Sequence, residues 1–131
     1  MTGKFLLDTY ALYFWVEGTN LPANLIELLD ISLEQERLSV SSVSFWELAL
    51  LKNKNRIAVK DLERWVTTLL DRVPLDLITP SWQDMVRSTA LPGIHKDPFD
   101  RLLIAQAQSR ELVLVTNDDD ITKYKVKTMW K

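Results

Sequence analysis

Short apolar runs alternate along this chain with longer stretches in which apolar residues recur every three or four positions. Lys4–Leu7 is the first short run, and it reads as a strand ending at Asp8-Thr9. Thr9 is a natural cap for a helix over Tyr10–Val16, whose Tyr13-Phe14-Trp15 run is too apolar to face water on all sides. Gly18 ends that helix and Pro22 opens a second, Ala23–Glu36, with Leu25, Leu28 and Leu29 spaced for a buried stripe. Arg37–Ser41 is a short second strand. Ser44-Phe45-Trp46-Glu47 matches a capping box, which predicts a third helix over Phe45–Lys54. A fourth follows over Asp61–Asp71, then a strand at Leu75–Ile78 and a fifth helix from Thr79-Pro80 through Ser88.

The most informative stretch is Lys96–Ile121. Asp97-Pro98 is a helix start, with Asp97 as N-cap and Pro98 in the first turn, where its missing N–H costs nothing. That puts Asp100 at the third helical position. Leu112–Val115 is a β-branched run apolar enough for a buried strand, and Thr116-Asn117-Asp118 closes it. Val126–Met129 is a final edge strand. Strands alternating with helices, with no linker or repeat, predict a single α/β domain over residues 1–131: three layers, with a mostly parallel sheet of four to five short strands between helices.

Composition narrows the chemistry. There is no cysteine among the 131 residues, which excludes disulfides, zinc fingers and thiol catalysis. His95 is the one histidine, so a His-rich metal site cannot be built. No segment approaches the roughly 18 consecutive apolar residues of a membrane span, and the expectation is a soluble, cytoplasmic protein with no membrane association. A net charge of −2 gives no global attraction to nucleic acid. The charge is unevenly spread, however: Leu48–Arg72 holds six basic and three acidic residues. Lys52, Lys54, Arg56 and Lys60 form its concentration, which reads equally as an RNA-tracking patch or a solvated helix end.

Four acids stand out by position: Asp8 at the end of the first strand, Glu47 on the third helix, Asp100 and Asp118. Each has a plain structural explanation. Asp8 can merely end a strand, Glu47 can be the return half of a capping box, Asp100 suits the helix dipole, and Asp118 can cap the short helix after it. Together they point elsewhere. Asp8 and Asp118 both follow apolar strands, and in a parallel sheet both emerge at the edge where ligands bind. Carboxylates crowded there raise one another's pKa unless a cation intervenes. With no cysteine or histidine cluster the donors are oxygen, which suits Mg²⁺ or Mn²⁺, and such an ion facing a cleft is a device for hydrolysing phosphodiesters. Asp97 is most simply the N-cap. Asp119 and Asp120 read as solvated first-turn acids, with Asp119 able to replace Asp118 if the turn shifts by one residue. His95, Lys96 and Arg101 lie near enough to hold substrate phosphate, or are surface charges.

The stretches LLDTYAL (Leu6–Leu12), SSVSFWELAL (Ser41–Leu50), HKDPFDRLLIAQA (His95–Ala107) and LVTNDDDI (Leu114–Ile121) resemble the four signature stretches of PIN-domain ribonucleases, above all the toxins of VapC-type toxin–antitoxin pairs. The resemblance spans essentially the whole chain. It implies a PIN-like fold and a Mg²⁺- or Mn²⁺-dependent endoribonuclease. It implies Asp8, Glu47, Asp100 and Asp118 as metal-binding acids, and Thr9, Ser41 or Ser44, and Thr116 as hydroxyls that orient them. Arg101 and Lys52 are candidate substrate contacts. Tyr10 stands where the family often has histidine, and Leu51 where it often has lysine, with Lys52 one residue on.

The partners implied are an RNA substrate, a small antitoxin bound through an apolar groove, and a second copy in a homodimer. The aromatic residues near the first helix and the apolar second helix are the expected partner faces. Two rival readings stay open: the same nuclease working in RNA processing without an antitoxin, and a non-catalytic module that binds RNA or protein and shows no metal dependence.

Overall fold

The computed structural model describes residues 3–131. Five strands form one sheet in the order β3-β2-β1-β4-β5, every pairing parallel. They are β1 (Phe5–Leu7), β2 (Leu38–Ser41), β3 (Asp76–Ile78), β4 (Val113–Val115) and β5 (Thr128–Met129). Six helices connect them: α1 (Thr9–Glu17), α2 (Ala23–Glu34), α3 (Ser42–Asn53), α4 (Leu62–Arg72), α5 (Trp82–Thr89) and α6 (Pro98–Arg110). The expected three-layer α/β/α architecture is what the chain adopts.

Alternation along β1 builds the layers. Phe5 and Leu7 join Leu12, Leu25, Leu29, Leu48 and Leu69 in the core under α1, α2 and α4. Leu6 faces the other way, into a second core with Leu103, Ile104 and Ala107 of α6. A strand buried on both faces must be apolar throughout, and all three β1 residues are fully buried. On the second face α5 is fixed to α6 through the buried Asp84, which closes a capping box with Ser81 and pairs with Arg110 at 3.1 Å.

From β1 the chain steps outward to β2 and β3, then returns to the opposite side for β4 and β5. The switch in direction lies between β1 and β4, paired Leu7 to Val115. Crossovers leave in opposite directions there, so the sheet edge opens into a crevice beyond the carboxyl ends of the two strands.

Three helix starts differ from the expectation. Asp8, not Thr9, caps α1, its Oδ1 accepting the Ala11 N–H at 2.8 Å. Thr9 thereby becomes the first helical residue, and its hydroxyl, not used as a cap, bonds to Glu47 instead. Ser41 caps α3 by accepting the Val43 N–H at 3.2 Å, so Ser44 and Glu47 lie inside the helix and form no capping box. Ser41 ends β2 and caps the next helix at once, with no loop between, which moves the start three residues earlier. Ser41 also donates to Gln106 of α6 at 2.7 Å, tying the two helices together. Ser81, not Thr79-Pro80, caps α5. Asp97 caps α6 as expected, accepting from Phe99 and Asp100.

Candidate metal centre

The four acids singled out in the sequence meet in one cleft. Asp8, Glu47, Asp100 and Asp118 all line a cavity of about 700 Å³, together with Thr9, Tyr10, Phe14, Asn20, His95, Asp97, Asn117 and Trp130. Each acid is delivered by a different device. Asp8 is held by the α1 backbone through its own cap bond, and by a hydrogen bond with Thr116. Glu47 projects from α3 and accepts a 2.5 Å hydrogen bond from Thr9, whose Oγ1 also lies 3.1 Å from Ser44 Oγ. Asp100 stands on the first turn of α6. Asp118 spends Oδ1 on the Asp120 N–H at 2.8 Å, and its own N–H donates to Thr116 Oγ1. Its Oδ2 is left to face the cleft. Asp97 is thus the expected N-cap through Oδ1 alone, whereas Asp118 closes a turn onto Asp120 instead of capping the short helix; each has its other carboxylate oxygen left over.

His95 occupies the middle of this arrangement. Its Nε2 lies 3.0 Å from Asp100 Oδ2 and 2.9 Å from Asp118 Oδ2. The ring is aimed by its surroundings: Asp97 N–H meets Nδ1 at 3.1 Å, which leaves the Nε2 proton directed at the two carboxylates. The carrying loop is pinned as well. Tyr124 Oη accepts from the His95 N–H and donates to the Pro92 carbonyl. Arg101 donates to the carbonyls of Thr89, Leu91, Pro92 and His95. Sequence reading set His95 at the margin of the site. Its place depends on Tyr124 and on a loop folded around Arg101, and no local pattern carries that information.

The remaining candidates separate cleanly. Thr9, Ser44 and Thr116 touch the acids or one another, as orienting hydroxyls should. Arg101 has its guanidinium committed to loop carbonyls rather than to the cleft. Lys52 and Lys96 do not line the cleft. Asp119 lines a neighbouring depression with Thr122 and Met129, and Asp120 pairs with Lys123. Lys60 lines a different cavity, between the end of α1 and α4.

Burial of the carboxyls, reinforced by their crowding, dominates the electrostatics. Burial pushes Asp8 up to about 6, against the lowering pull of its Thr116 and Ala11 hydrogen bonds, and Asp118 adds repulsion. Burial, then repulsion from Asp97, Glu47 and Asp8, raises Asp100 to about 8, although His95 counteracts it. Glu47 is raised, again chiefly by burial. For His95 burial favours the neutral ring, but the Asp118 hydrogen bond and the charges of Asp100, Asp118 and Asp97 outweigh it and raise its pKa. With Nδ1 accepting the Asp97 N–H, the neutral ring offers its Nε2 proton to the two carboxylates; a second proton would make it their counter-ion at the expense of that Asp97 contact. Asp100 Oδ2 and Asp118 Oδ2 both lie within 3.0 Å of the point that Nε2 marks, with two more acids in the same cleft. Hard, mostly anionic oxygen donors around a common point fit Mg²⁺ or Mn²⁺. His95 Nε2, Asp100 and Asp118 also have donor atoms within 4.8 Å of one another.

Comparison with known proteins identifies the family and the fold. The PIN-domain family profile matches residues 5–127. This chain belongs to the PIN-domain family. Among its relatives, the tRNA(fMet)-specific endonuclease VapC of Shigella flexneri is 30% identical over 119 residues, covering 88% of this chain and 86% of that one. Ribonuclease VapC22 of Mycobacterium tuberculosis is 33% identical over 116 residues, covering 86% and 85%. The VapBC2 structure from Rickettsia felis, bound to a promoter DNA fragment, superposes with a TM-score of 0.70 at 19% identity, covering 95% of this chain and 96% of that one. A toxin–antitoxin complex from Klebsiella pneumoniae gives 0.65, with 96% of each chain covered, also at 19% identity. At that identity the structural likeness speaks for the PIN fold.

The raised carboxyls make a pH signature of the metal-free protein. Asp8, Glu47, Asp100 and His95 all hold protons more tightly folded than unfolded, so their contribution to stability is complete at low pH and is lost as pH rises through the folded values. Calorimetric melts in chelator should show the melting temperature falling by several degrees between about pH 5 and pH 8. A melting temperature that is flat or rises across that window contradicts the crowded-acid reading.

Proposed function

We propose that this PIN domain is a Mg²⁺- or Mn²⁺-dependent endoribonuclease and the toxin of a toxin–antitoxin pair. What carries the reading is the convergence of Asp8, Glu47, Asp100 and Asp118 on one cleft, with Asp100 Oδ2 and Asp118 Oδ2 close enough to share the His95 Nε2 proton. The names of the VapC relatives support RNA as the substrate.

Asp8, Glu47, Asp100 and Asp118 would hold the ion. A divalent ion bound there supplies Lewis-acid polarisation of a phosphate oxygen and a water of lowered pKa. The chain's own residues supply orientation. Thr9 and Ser44 keep Glu47 turned into the cleft, and Thr116 and the Ala11 N–H hold Asp8. The Asp118–Asp120 turn presents Asp118 Oδ2, while the Arg101-tied loop keeps His95 beside it. Burial of these acids strengthens every charge interaction with a bound phosphodiester.

The antitoxin would lie in the cavity of about 650 Å³ between the end of α1 and α4, where Val16, Trp65, Leu69 and Val73 give an apolar floor and Glu17, Lys60, Asp61 and Arg64 a rim of both charges. The likeness to the VapBC2 structure and to the Klebsiella toxin–antitoxin complex supports such a partner. For a second copy, a face other than α1 and α2 offers the most exposed apolar surface. Tyr13, Trp15 and Leu28 of α1 and α2 pack against the core, whereas Trp82 is 70% exposed, with Met85, Val86 and Leu77 also exposed. α5 and the edge strand β3 are therefore the proposed dimer face.

Two measurements test the proposal. Purified protein should cleave RNA with Mg²⁺ or Mn²⁺ and stop in chelator, and Asp100→Asn should lose at least about two orders of magnitude in rate. An Asn variant as fast as the parent removes the assignment, and cleavage indifferent to chelator removes the metal. Light scattering should give a dimer for the parent and a monomer for Trp82→Asp. A monomeric parent at tens of micromolar would remove the dimer.

A further inference from the structure

The acids fill only part of their cleft. The rest of its wall is aromatic and amide: Tyr10, Phe14 and Trp130, with Asn20 and Asn117 beside them. Tyr10 is 42% exposed although other aromatic residues of α1 pack on the core. It sits four residues before Phe14 on the same helix face, with ring centroids 5.7 Å apart and planes inclined by 36°. Neither the Tyr10 hydroxyl nor the side-chain amides of Asn20 and Asn117 have a hydrogen-bond partner among the described residues. The ring is also rigidly indexed to the acids. Asp8 caps α1, Thr9 holds Glu47, and Tyr10 follows directly on the same first turn.

An exposed ring at a fixed distance from phosphate-directed acids, flanked by unpaired amides, has the chemistry of a nucleobase site. Every base offers a π-face to stack, and carboxamides offer donor and acceptor together to a base edge. The cavity volume, about 700 Å³, is in the range of small-molecule sites, roughly 300–1,000 Å³, and exceeds what a phosphate and one ion need. We infer that Tyr10, backed by Phe14 and Trp130, is the stacking platform for an unpaired base next to the scissile phosphate, with Asn117 and Asn20 reading its edge. The inference rests on the ribonuclease reading and deepens it: the substrate is single-stranded at the cut, and these residues set which base is preferred there.

The test uses a random-sequence single-stranded RNA pool with Mn²⁺, sequencing of the cut ends, and steady-state kinetics on the preferred sequence. Tyr10→Ala should raise KM roughly five- to a hundredfold, as expected for one lost base stack, with kcat nearly unchanged and the base preference flattened. Tyr10→Phe should match the parent, since the ring face and not the hydroxyl is used. Asn117→Ala should flatten the preference with a smaller effect on KM. Placing an abasic residue at the preferred position should cost the parent the same factor as Tyr10→Ala and cost that variant nothing more. Tyr10→Ala with KM and base preference equal to the parent's overturns the platform, and would leave the aromatic wall to a protein partner. Tyr10→Phe failing alongside Tyr10→Ala also overturns it. A parent that cuts no RNA in the pool with either metal shows instead that the ribonuclease reading has failed, and the base site falls with it. Because Tyr10 is exposed, thermal melts should show all three variants folded.

Discussion

Mutual repulsion of carboxylates at the carboxyl edge of a parallel sheet is the constraint on which the rest of this molecule turns. Asp8 leaves β1 and Asp118 follows β4, the two strands between which the chain reverses its direction across the sheet. Asp100 enters from the first turn of α6 and Glu47 from inside α3. Such a group is held only because the surrounding scaffold is rigid and well buried: two apolar cores, one on each face of β1, and a set of caps and hydroxyls that fix each carboxyl individually. The raised pKa values of Asp8 and Asp100 record what that packing costs. His95, placed between Asp100 and Asp118, offsets part of the cost in this arrangement.

The same constraint explains why several residues serve twice. Asp8 caps α1 with one oxygen and belongs to the acid cluster. Asp118 closes a turn with Oδ1 and faces the cleft with Oδ2. Asp97 caps α6 and contributes charge that raises Asp100. For these residues capping and site chemistry are not competing explanations. The cap fixes the carboxyl so that its remaining oxygen points where the cluster needs it, with little rotamer freedom left to lose on binding a cation.

Where one local signal dominated, the sequence was readable. Asp97-Pro98 admits few conformations other than a helix start, and the β1 and β4 runs are too apolar for any exposed element. All four acids could be placed because strand ends in a parallel sheet share an edge. Serine-rich Ser41–Ser44 was ambiguous, since three serines can each cap a helix. The outcome depended on Ser41 ending its strand and bonding Gln106, a contact 65 residues away in sequence. That His95 lies between Asp100 and Asp118, and not merely beside the cleft, was not legible for the same kind of reason, because Tyr124 and Arg101 position its loop. The exposed apolar face on α5 was missed because the helix is short, and its inner side is defined by Asp84 rather than by an apolar stripe. The four aromatic residues of α1 divide in a way their spacing does not announce: Tyr13 and Trp15 pack half-buried against the core, while Tyr10 and Phe14 line the cleft.

Whether the cluster is a cation site or a set of independent helix and turn acids is decided most directly by paired thermal melts of the parent and Asp100→Asn, each in chelator and with Mg²⁺ or Mn²⁺. A first-turn acid acting only on the helix dipole stabilises by roughly 0.3–1 kcal/mol, so its neutralisation would lower the melting temperature. Within a crowded cluster, neutralisation relieves repulsion, and the variant should melt at the parent's temperature or above it in chelator. Metal binds the folded state alone and should raise the parent's melting point, while the variant, short of one ligand, responds much less. An Asp100→Asn protein less stable than the parent in chelator, beside a parent indifferent to metal, would contradict the account.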